Sequence, residues 1–442
     1  MLFKIALLVL VCVFIIVTGF EDDETDLDKM KIMEEMIKEW KSDNDEIKFT
    51  PTQISYLNHL DNRGRGSGRG RGRGNVRGRG NGQGRGKGNN RSKRQYEYLP
   101  VRKAYRHLSD SERKDFHDAI YQLKHTFSDP TSDLSNYDLF VNLHRSNSAP
   151  YAHGGHAFAG WHRHCLYRFE KALQEINEDV TLCYLDTTME YNVGDRLEDS
   201  AIFGPDTLGN ADGKVVTGPF AHFKVLWETC LKNNRTSLSR NIQNDGRFFY
   251  SPADLRIFDT WNTFEEMNTL RPNFEAEHDG VHIGIGGHML EIACAPFDPI
   301  FWLHHTFVDY LWWEIRQHQT TDPETEYPNG TRPGHGRDDP MSPFMLELDD
   351  GSEQPLTNIA GLSNSYTTEE YTYQQAPGRI VCSTYSDCRS KFLYCSGRRC
   401  RAKVREGGQL EGRSTVSCYC PPGFIPGRRR RGRQYYCRCR PR

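Results

Sequence analysis

Two clusters of histidine in the middle of this 442-residue chain restrict what it can fold into more than any other sequence feature. The first cluster lies in LHRSNSAPYAHGGHAFAGWHRH and comprises His144, His153, His156, His162 and His164. Apolar residues continue from it at helical spacing, from Trp161 and Cys165 to Phe169 and Leu173. This periodicity predicts a long helix that carries the end of the cluster into the core.

The second cluster begins at EHDGVH, where His278 and His282 stand four residues apart. This spacing puts both rings on one helix face, where two imidazoles can reach one metal ion. The cluster ends in FDPIFWLHHTFVDYLWW, which supplies His304 and His305. Asp298 followed by a proline predicts a helix start, and because adjacent helical residues point about 100° apart, only one of these two histidines can face the metal.

Histidine clusters without carboxylate ligands narrow the choice of metal. Three neutral imidazoles per ion suit copper or zinc, but zinc hydrolase sites more usually include Asp or Glu. A pair of histidine-only triads therefore favours copper.

At these positions the chain resembles the family of tyrosinases, catechol oxidases and molluscan haemocyanins. YDLFVNLH and HGGHAFAGWHRHCLYRFE are similar to the family's copper-A signature, and HDGVH with DPIFWLHHTFVD is similar to its copper-B signature. The triplet Tyr371-Thr372-Tyr373 resembles the Tyr-x-Tyr that closes the family's core domain. The resemblance extends from Tyr137 to Tyr373.

The resemblance implies a mainly α fold, with a four-helix-bundle dicopper core in which two copper ions bind dioxygen as the co-substrate. His156 and His164 are then bystanders. The implied copper ligands are His144, His153 and His162 for copper A, and His278, His282 and His305 for copper B. The implied activity is that of a tyrosinase-type copper monooxygenase or catechol oxidase, acting on small phenols or on tyrosine or DOPA in proteins.

Departures from the family pattern bear on this activity. Tyr151 stands where many members place a cysteine that links to the second copper-A histidine, so no thioether forms. Ala159 stands where the signature prefers a larger apolar residue. Asp279 occupies a position where hydroxylating members often carry an asparagine that orients a water, and Glu275 is the nearest acidic partner for that water. We expect Glu275 and Asp279 to act as the base toward the phenol, and the added charge puts monophenol hydroxylation, as opposed to diphenol oxidation, in question.

Two further residues are predicted around this centre. Asp309, one turn beyond His305, is expected to help fix the orientation of an imidazole ring. The family's spacing places Ile292 near the mouth of the substrate pocket, where its modest size would admit bulky phenols. Ordinary core packing is the alternative for Ile292.

Residues 1–20 have the anatomy of a signal peptide, with Lys4 ahead of an apolar run from Ile5 to Val17. The run is too short to span a bilayer comfortably. We therefore expect a secreted, extracellular protein that has no membrane segment after signal cleavage.

Residues 21–94 are predicted to be a pro-segment. Its acidic first part contains one short amphipathic helix around Met30 to Trp40, with little core of its own. An Arg-Gly tract follows, from Arg63 to Gly88, which cannot bury apolar surface and is predicted to be a disordered linker. Such tracts often bind RNA inside cells, but behind a signal peptide we expect no nucleic-acid partner. The tract ends at Arg91-Ser92-Lys93-Arg94, which matches a furin-like pattern, and cleavage after Arg94 is expected to raise activity.

Residues 95–375 form the predicted copper domain, and residues 376–442 hold eight cysteines in a predicted Cys-rich basic module. Twelve cysteines remain after the signal peptide, an even number that favours disulfides in an oxidising compartment. The run Arg428 to Arg431 makes this module basic, so it could adhere to acidic extracellular matrix or serve only as a stabilising cap. Asn234 and Asn329 stand in glycosylation sequons.

Together these features predict an extracellular phenol oxidase that makes quinones for pigment or for cross-linking a matrix. A catechol oxidase without hydroxylase activity and a haemocyanin-like oxygen carrier are alternatives within the same fold. A non-catalytic matrix protein would be expected to lack a copper ligand, and none of the six is missing.

Overall fold

The computed structural model describes residues 49–65, 99–191, 193, 196–226, 236–269, 273–328, 332–347, 352–410 and 412–442. The predicted signal peptide, the cleavage site at Arg94 and the sequons at Asn234 and Asn329 lie outside these residues. No helix within the described ranges combines the length and apolarity needed to cross a membrane.

Most of the regular secondary structure in the described residues is helical, as predicted, and the strands form short two-stranded sheets. The helices are α1 (Pro51–Arg65), α2 (Asp110–His125), α3 (Asn136–Tyr151), α4 (Phe158–Ile176), α5 (Thr188–Tyr191), α6 (Pro252–Phe258), α7 (Phe264–Thr269), α8 (Phe274–Ile285) and α9 (Ile300–His318). The strands are β1 (Val101–Arg102), β2 (Asp212–Lys214), β3 (Ser239–Asn241), β4 (Pro340–Glu347), β5 (Glu353–Thr357), β6 (Thr372–Tyr373), β7 (Leu393–Ser396), β8 (Arg399–Ala402), β9 (Phe424–Arg431) and β10 (Gln434–Pro441). Strands β1 and β6 pair in parallel, and β2 with β3, β4 with β5, β7 with β8 and β9 with β10 pair antiparallel.

Side-chain caps fix where the two helices of the second histidine cluster begin. The side chain of Asn273 accepts hydrogen bonds from the N–H groups of Glu275 and Ala276 at the start of α8. At the start of α9, Oδ1 of Asp298 accepts from the N–H of Ile300 at 3.0 Å. These caps satisfy backbone donors that a helix otherwise leaves unpaired.

Helix α4 is the long helix that the apolar spacing predicts, and it is buried along most of its length. It packs against α2, α3 and α9 and against a 3₁₀ helix at Asn358–Leu362. The last contact requires glycine at position 361, because a Cβ on Gly361 would lie 2.6 Å from Cα of Gly160. Across the α9 interface the rings of Phe169 and Trp302 stack at 3.8 Å between centroids. The mainly helical class is confirmed, whereas the four-helix bundle stays a prediction.

A buried charge network ties four elements together around Asp309. Its carboxylate accepts hydrogen bonds from Nε of Arg163 at 2.6 Å, Nη1 of Arg102 at 3.3 Å, the hydroxyl of Tyr371 at 2.7 Å and the hydroxyl of Tyr373. Burial would raise the pKa of Asp309, but the two guanidinium groups hold it below its ordinary value. The network therefore joins β1, α4, α9 and β6 through one ionised side chain.

The Asp309→Asn variant should lower the free energy of unfolding by about 3–5 kcal/mol, because it removes the charge that two buried guanidinium groups share. Denaturant unfolding of the metal-free protein measures this change. Asp338→Asn is the matched control, since Asp338 pairs with Arg337 at an exposed site, where the loss should stay below about 1 kcal/mol. Equal losses in the two variants would contradict the role assigned to the network.

The C-terminal module is stapled by four disulfides, which confirms the predicted use of its cysteines. The pairs are Cys382–Cys395, Cys388–Cys400, Cys418–Cys437 and Cys420–Cys439. The module is seated on the helical domain, where the carbonyl of Cys388 meets the His107 ring at 3.1 Å and the N–H of Ala201 donates to the carbonyl of Lys403 at 2.9 Å.

Not every described cysteine is oxidised. In the helical domain Cys294 is disulfide-bonded, whereas Cys165 and Cys183 are buried thiols. The even count of cysteines therefore does not mean that all of them form disulfides.

Candidate dicopper centre

The first histidine trio is assembled from two helices and the loop between them. Helix α3 carries His144, the α3–α4 loop carries His153, and the second turn of α4 carries His162. All three are buried, and their potential ligand atoms lie within 4.8 Å of one another. Their ring centroids are 4.9 to 5.7 Å apart. The structure thus brings together the three residues predicted for copper A.

The loop that carries His153 is held from both sides. Gly154 has φ +75°, and a Cβ there would meet the guanidinium of Arg332, whose Nη1 donates to the carbonyl of Gly154 at 2.9 Å. The N–H of Gly154 donates to Oε1 of Glu275 at 2.6 Å. Arg332 and Glu275 therefore clamp the backbone next to His153.

The second trio is tighter. Nε2 of His282 lies 2.9 Å from Nε2 of His278, and Nε2 of His305 lies 3.1 Å from His278 and 3.2 Å from His282. Helix α8 carries the first two residues and α9 carries the third. The structure thus brings together the three residues predicted for copper B.

The hydrogen bonds on the outer nitrogens determine what these rings present to each other. Nδ1 of His282 lies 2.8 Å from the carbonyl of Met289, and Nδ1 of His162 lies 2.9 Å from the carbonyl of Phe158. A carbonyl only accepts, so each Nδ1 carries the proton and a neutral ring keeps a lone pair on Nε2. Nδ1 of His278 likewise faces only acceptors, Oδ1 of Asp279 at 3.0 Å and the carbonyl of Glu275 at 3.2 Å.

Burial keeps these rings neutral. It lowers the pKa of His162 to about 3 and that of His282 to about 4, and it holds the pKa values of His144, His278 and His305 well below the ordinary range. The Nε2 lone pairs of His278 and His282 meet at 2.9 Å without a proton between them, and they repel. A bound cation removes that repulsion, so the donor set fits a metal that accepts neutral imidazole nitrogen.

The adjacent residues His304 and His305 direct their rings to different partners. His304 also lies near the trio, and one of its ring nitrogens is within 4.8 Å of a ring nitrogen of His278 and of one of His282. Its Nε2, however, faces the carbonyl of His278 at 3.2 Å, and its ring stacks parallel to that of His278. We therefore assign the inward position to His305, whose Nε2 meets both other Nε2 atoms.

Aromatic rings contact both histidine trios. The rings of His162 and His305 stack with centroids 4.3 Å apart. The Phe158 ring lies 4.8 Å from His162 and 4.8 Å from His278, and the Phe301 ring lies 4.1 Å from His305. The trios are therefore adjacent parts of one buried centre.

Asp309, Ile292 and His164, which were also considered from the sequence, have different surroundings. Asp309 hydrogen-bonds no imidazole; its partners are the two arginines and two tyrosines of the buried network, and Arg163 on the neighbouring helix α4 donates to its Oδ1. Asp309 therefore does not orient an imidazole ring as expected; it joins helices α4 and α9 through Arg163. Ile292 is buried, and its backbone lies next to the ring of His144. His164 faces away from the centre, with Nδ1 2.8 Å from the hydroxyl of Tyr366.

Sequence reasoning missed the groups that orient the rings. The carbonyls of Phe158 and Met289 leave no mark in a side-chain pattern. Arg332 lies far along the chain from Gly154 and has no motif of its own. The cap at Asn273 could have been found, since Asn two residues before Glu275 is a common N-cap pattern.

Comparison with known proteins places this centre in a known family. The sequence model described as the common central domain of tyrosinase matches residues 134–318. A tyrosinase-like protein of Pinctada maxima is 36% identical over 338 residues, covering 72% of this chain and 70% of that protein. Tyrosinase-like protein 2 of Margaritifera margaritifera is 35% identical over 352 residues, covering 74% of this chain and 73% of that protein. A tyrosinase of Streptomyces lincolnensis is 30% identical over 247 residues, covering 50% of this chain and 85% of that protein.

A helical domain that buries two adjacent histidine trios is the arrangement of a dicopper protein. The chain belongs to the tyrosinase and haemocyanin family of type 3 copper proteins. Two copper ions are accordingly its cofactor.

The metal-free protein should lose stability as the pH falls from about 6.5 toward about 4. Between those values the unfolded histidines bind protons that His162 and His282, with pKa values of about 3 and about 4, do not bind when folded. Denaturant unfolding at several pH values measures the slope.

The His282→Gln variant should show a shallower slope than the wild type over this range. His222→Asn, at an exposed histidine, is the control and should leave the slope unchanged. Parallel profiles for wild type and His282→Gln would contradict the neutral, buried state of this ring.

Proposed function

We propose that this protein is an extracellular dicopper oxidase that uses dioxygen to hydroxylate monophenols, to oxidise o-diphenols to quinones, or to do both. The observation that carries the proposal is the convergence of two buried, neutral histidine trios. The family relationship supports a copper oxidase as the broad class of activity. The four disulfides of the C-terminal module support an oxidising compartment.

We assign the metal ligands to the six converging residues: His144, His153 and His162 for copper A, and His278, His282 and His305 for copper B. When bound there, two copper ions supply dioxygen binding and two-electron oxidation of a phenol. The chain supplies ring orientation through the carbonyls of Phe158 and Met289, and the surrounding phenylalanine rings exclude water.

Asp279 and Glu275 take different roles in this proposal. Asp279 is a positioning residue, because its carboxylate accepts the Nδ1 proton of His278 and so directs Nε2 inward. Glu275 is the better candidate for the base. It is half-buried, and burial raises its pKa to about 7 against the lowering effects of the Gly154 N–H and Arg332. A carboxylate with such a pKa can take a phenolic proton, directly or through a water, near neutral pH.

The substrate we propose is a phenol with a bulky substituent, including tyrosyl and DOPA side chains of proteins. Ile292 supports this assignment, because it adjoins His144 and is of modest size. The products would be quinones for pigment or matrix cross-linking.

A paired assay with tyrosine and a catechol tests the proposed function on the processed, copper-loaded protein. We expect two copper ions per chain by elemental analysis and quinone formation from the catechol. Oxidation of both substrates indicates a tyrosinase, and oxidation of the catechol alone indicates a catechol oxidase. Reversible oxygen binding without oxidation of either indicates a carrier and overturns the oxidase proposal, as does the absence of copper.

Variants on one helix sharpen this test. His162→Gln should lose copper and reduce catechol oxidation by more than the roughly 10–100-fold that loss of an outer partner costs. His164→Gln is the matched control, two residues away on α4 with its ring bonded to Tyr366, and should retain both ions. Asp279→Leu should weaken copper binding by about 10–100-fold while His278 remains.

We further propose that the C-terminal hairpin binds acidic polymers of the extracellular matrix. In the β9–β10 register Cys437 pairs with Arg428 and Cys439 with Pro426, and the two cysteines are buried. Because directly opposed residues share a face, the other face collects exposed arginines that have no carboxylate partner among the described residues. They are Arg429, Arg431, Arg438 and Arg440. The stapled strands hold these charges as a fixed array suited to a polyanion.

Chromatography on an immobilised sulfated polysaccharide should show strong, salt-sensitive retention of the full chain. Replacing all four face arginines by glutamine should lower the salt concentration at elution, whereas replacing them by lysine should largely preserve retention. A second column carrying polyaspartate distinguishes a polysaccharide from an acidic protein as the partner. Unchanged elution of the glutamine variant on both columns would refute the assignment.

A further inference from the structure

Helix α1 precedes the Arg-Gly tract in sequence but is built into the copper domain in space. Gln53, Leu57 and Leu60 recur at helical spacing and are 0%, 4% and 0% exposed. Tyr56 is half-buried and packs against the same core, as does Phe49 just ahead of the helix. Ile54 points the other way and is 46% exposed. One face of the helix is therefore a continuous part of the hydrophobic core.

Polar contacts fix the helix as well. Oγ1 of Thr50 donates to Oδ2 of Asp129 at 2.7 Å, and Nε2 of Gln53 donates to Oγ of Ser132 at 2.8 Å. These two partners lie in the loop ahead of α3. The N-terminal segment is thus bonded where the chain enters the helix that carries His144.

Two more contacts reach other elements. The guanidinium of Arg168, on α4, donates to the carbonyl of Leu57. Nδ2 of Asn58 donates to Oε1 of Glu353 on β5 at 2.6 Å. Strand β4 pairs with β5, and its residue Ser342 accepts a hydrogen bond at the carbonyl from the indole N–H of Trp161 at 2.7 Å. Helix α1 therefore contacts three segments of the copper domain: the loop ahead of α3, helix α4 and strand β5.

We propose that α1 remains bound after the chain is cut at Arg94, so that the mature protein is a complex of two chains. The inference rests on the cleavage after Arg94 that the sequence predicts, but it needs neither copper nor activity. None of the contacts just described passes through residues 66–94, so hydrolysis there removes none of them. Release would expose the buried face of α1 and its apolar seat on the domain at the same time. The pro-segment would then be a retained subunit that keeps its acidic residues on the enzyme.

Retention of α1 changes the expected effect of cleavage. Any rise in activity after cutting would come from the freed linker or the new terminus at Gln95, and not from departure of α1.

Size-exclusion chromatography of the cleaved full chain tests the proposal. The protein is cut with a furin-type protease, or at a site-specific protease sequence inserted between residues 66 and 90 if furin does not act. We expect the two fragments to elute together at micromolar concentration and to separate only on a denaturing gel. Elution of the N-terminal fragment as a separate, smaller species would overturn the proposal.

A matched pair of variants on α1 identifies the contact responsible. Leu60→Asp should release the fragment after cutting and should lower the Tm of the uncut, metal-free chain by about 3–12 °C. Ile54→Asp adds the same charge on the exposed face and should leave co-elution and Tm unchanged. Co-elution of the Leu60→Asp fragment would show that the buried face does not hold the complex. Because these measurements are made without metal, they stand apart from the outcome of the oxidase assay.

Discussion

The contact between Arg163 and Asp309 is the constraint on which the centre depends. Arg163 follows His162 on α4, and Asp309 lies one turn beyond His305 on α9, so their 2.6 Å hydrogen bond fixes the register of the two helices. Any slip along this interface would separate the stacked rings of His162 and His305. The hydroxyl groups of Tyr371 and Tyr373 and the guanidinium of Arg102 then hold the same carboxylate from the other side. A structural ion pair therefore sets the spacing between two metal sites without touching either of them.

The centre also shows why such a framework is needed. The Nε2 lone pairs of His278 and His282 are directed at each other and are unfavourable neighbours, because the proton of each ring is on Nδ1. The carbonyls of Phe158 and Met289 commit Nδ1 of His162 and of His282 as donors, so these two rings cannot turn to donate to their neighbours. The stability of the surrounding helices holds the rings in place before a metal binds. Preorganisation of this kind lowers the cost of assembling the ligands when copper enters.

The sequence predicts the parts of this arrangement that depend on periodicity and residue type. The four-residue spacing of His278 and His282, the adjacency of His304 and His305, and the apolar repeat of α4 could all be interpreted without coordinates. The orienting contacts could not, because backbone carbonyls carry no sequence signal and the partner of Asp309 comes from a different helix. Helix α1 was missed for another reason: its stripe of Leu57 and Leu60 is short and lies beside an Arg-Gly tract, so composition suggested a segment with little core. Whether such a stripe is buried depends on whether another part of the fold offers a complementary apolar surface.

The two reduced cysteines have a consequence for an enzyme whose proposed products are quinones. Quinones arylate thiolates, and an oxidase that forms them is exposed to its own products at high local concentration. Cys165 and Cys183 are 2% and 0% exposed, and burial raises the pKa of Cys165 to about 12 and that of Cys183 further still. The other cysteines that the structure describes are locked in disulfides. Among the described residues, then, the protein offers no accessible thiolate to such products, so burial and disulfide bonding protect its cysteines from arylation.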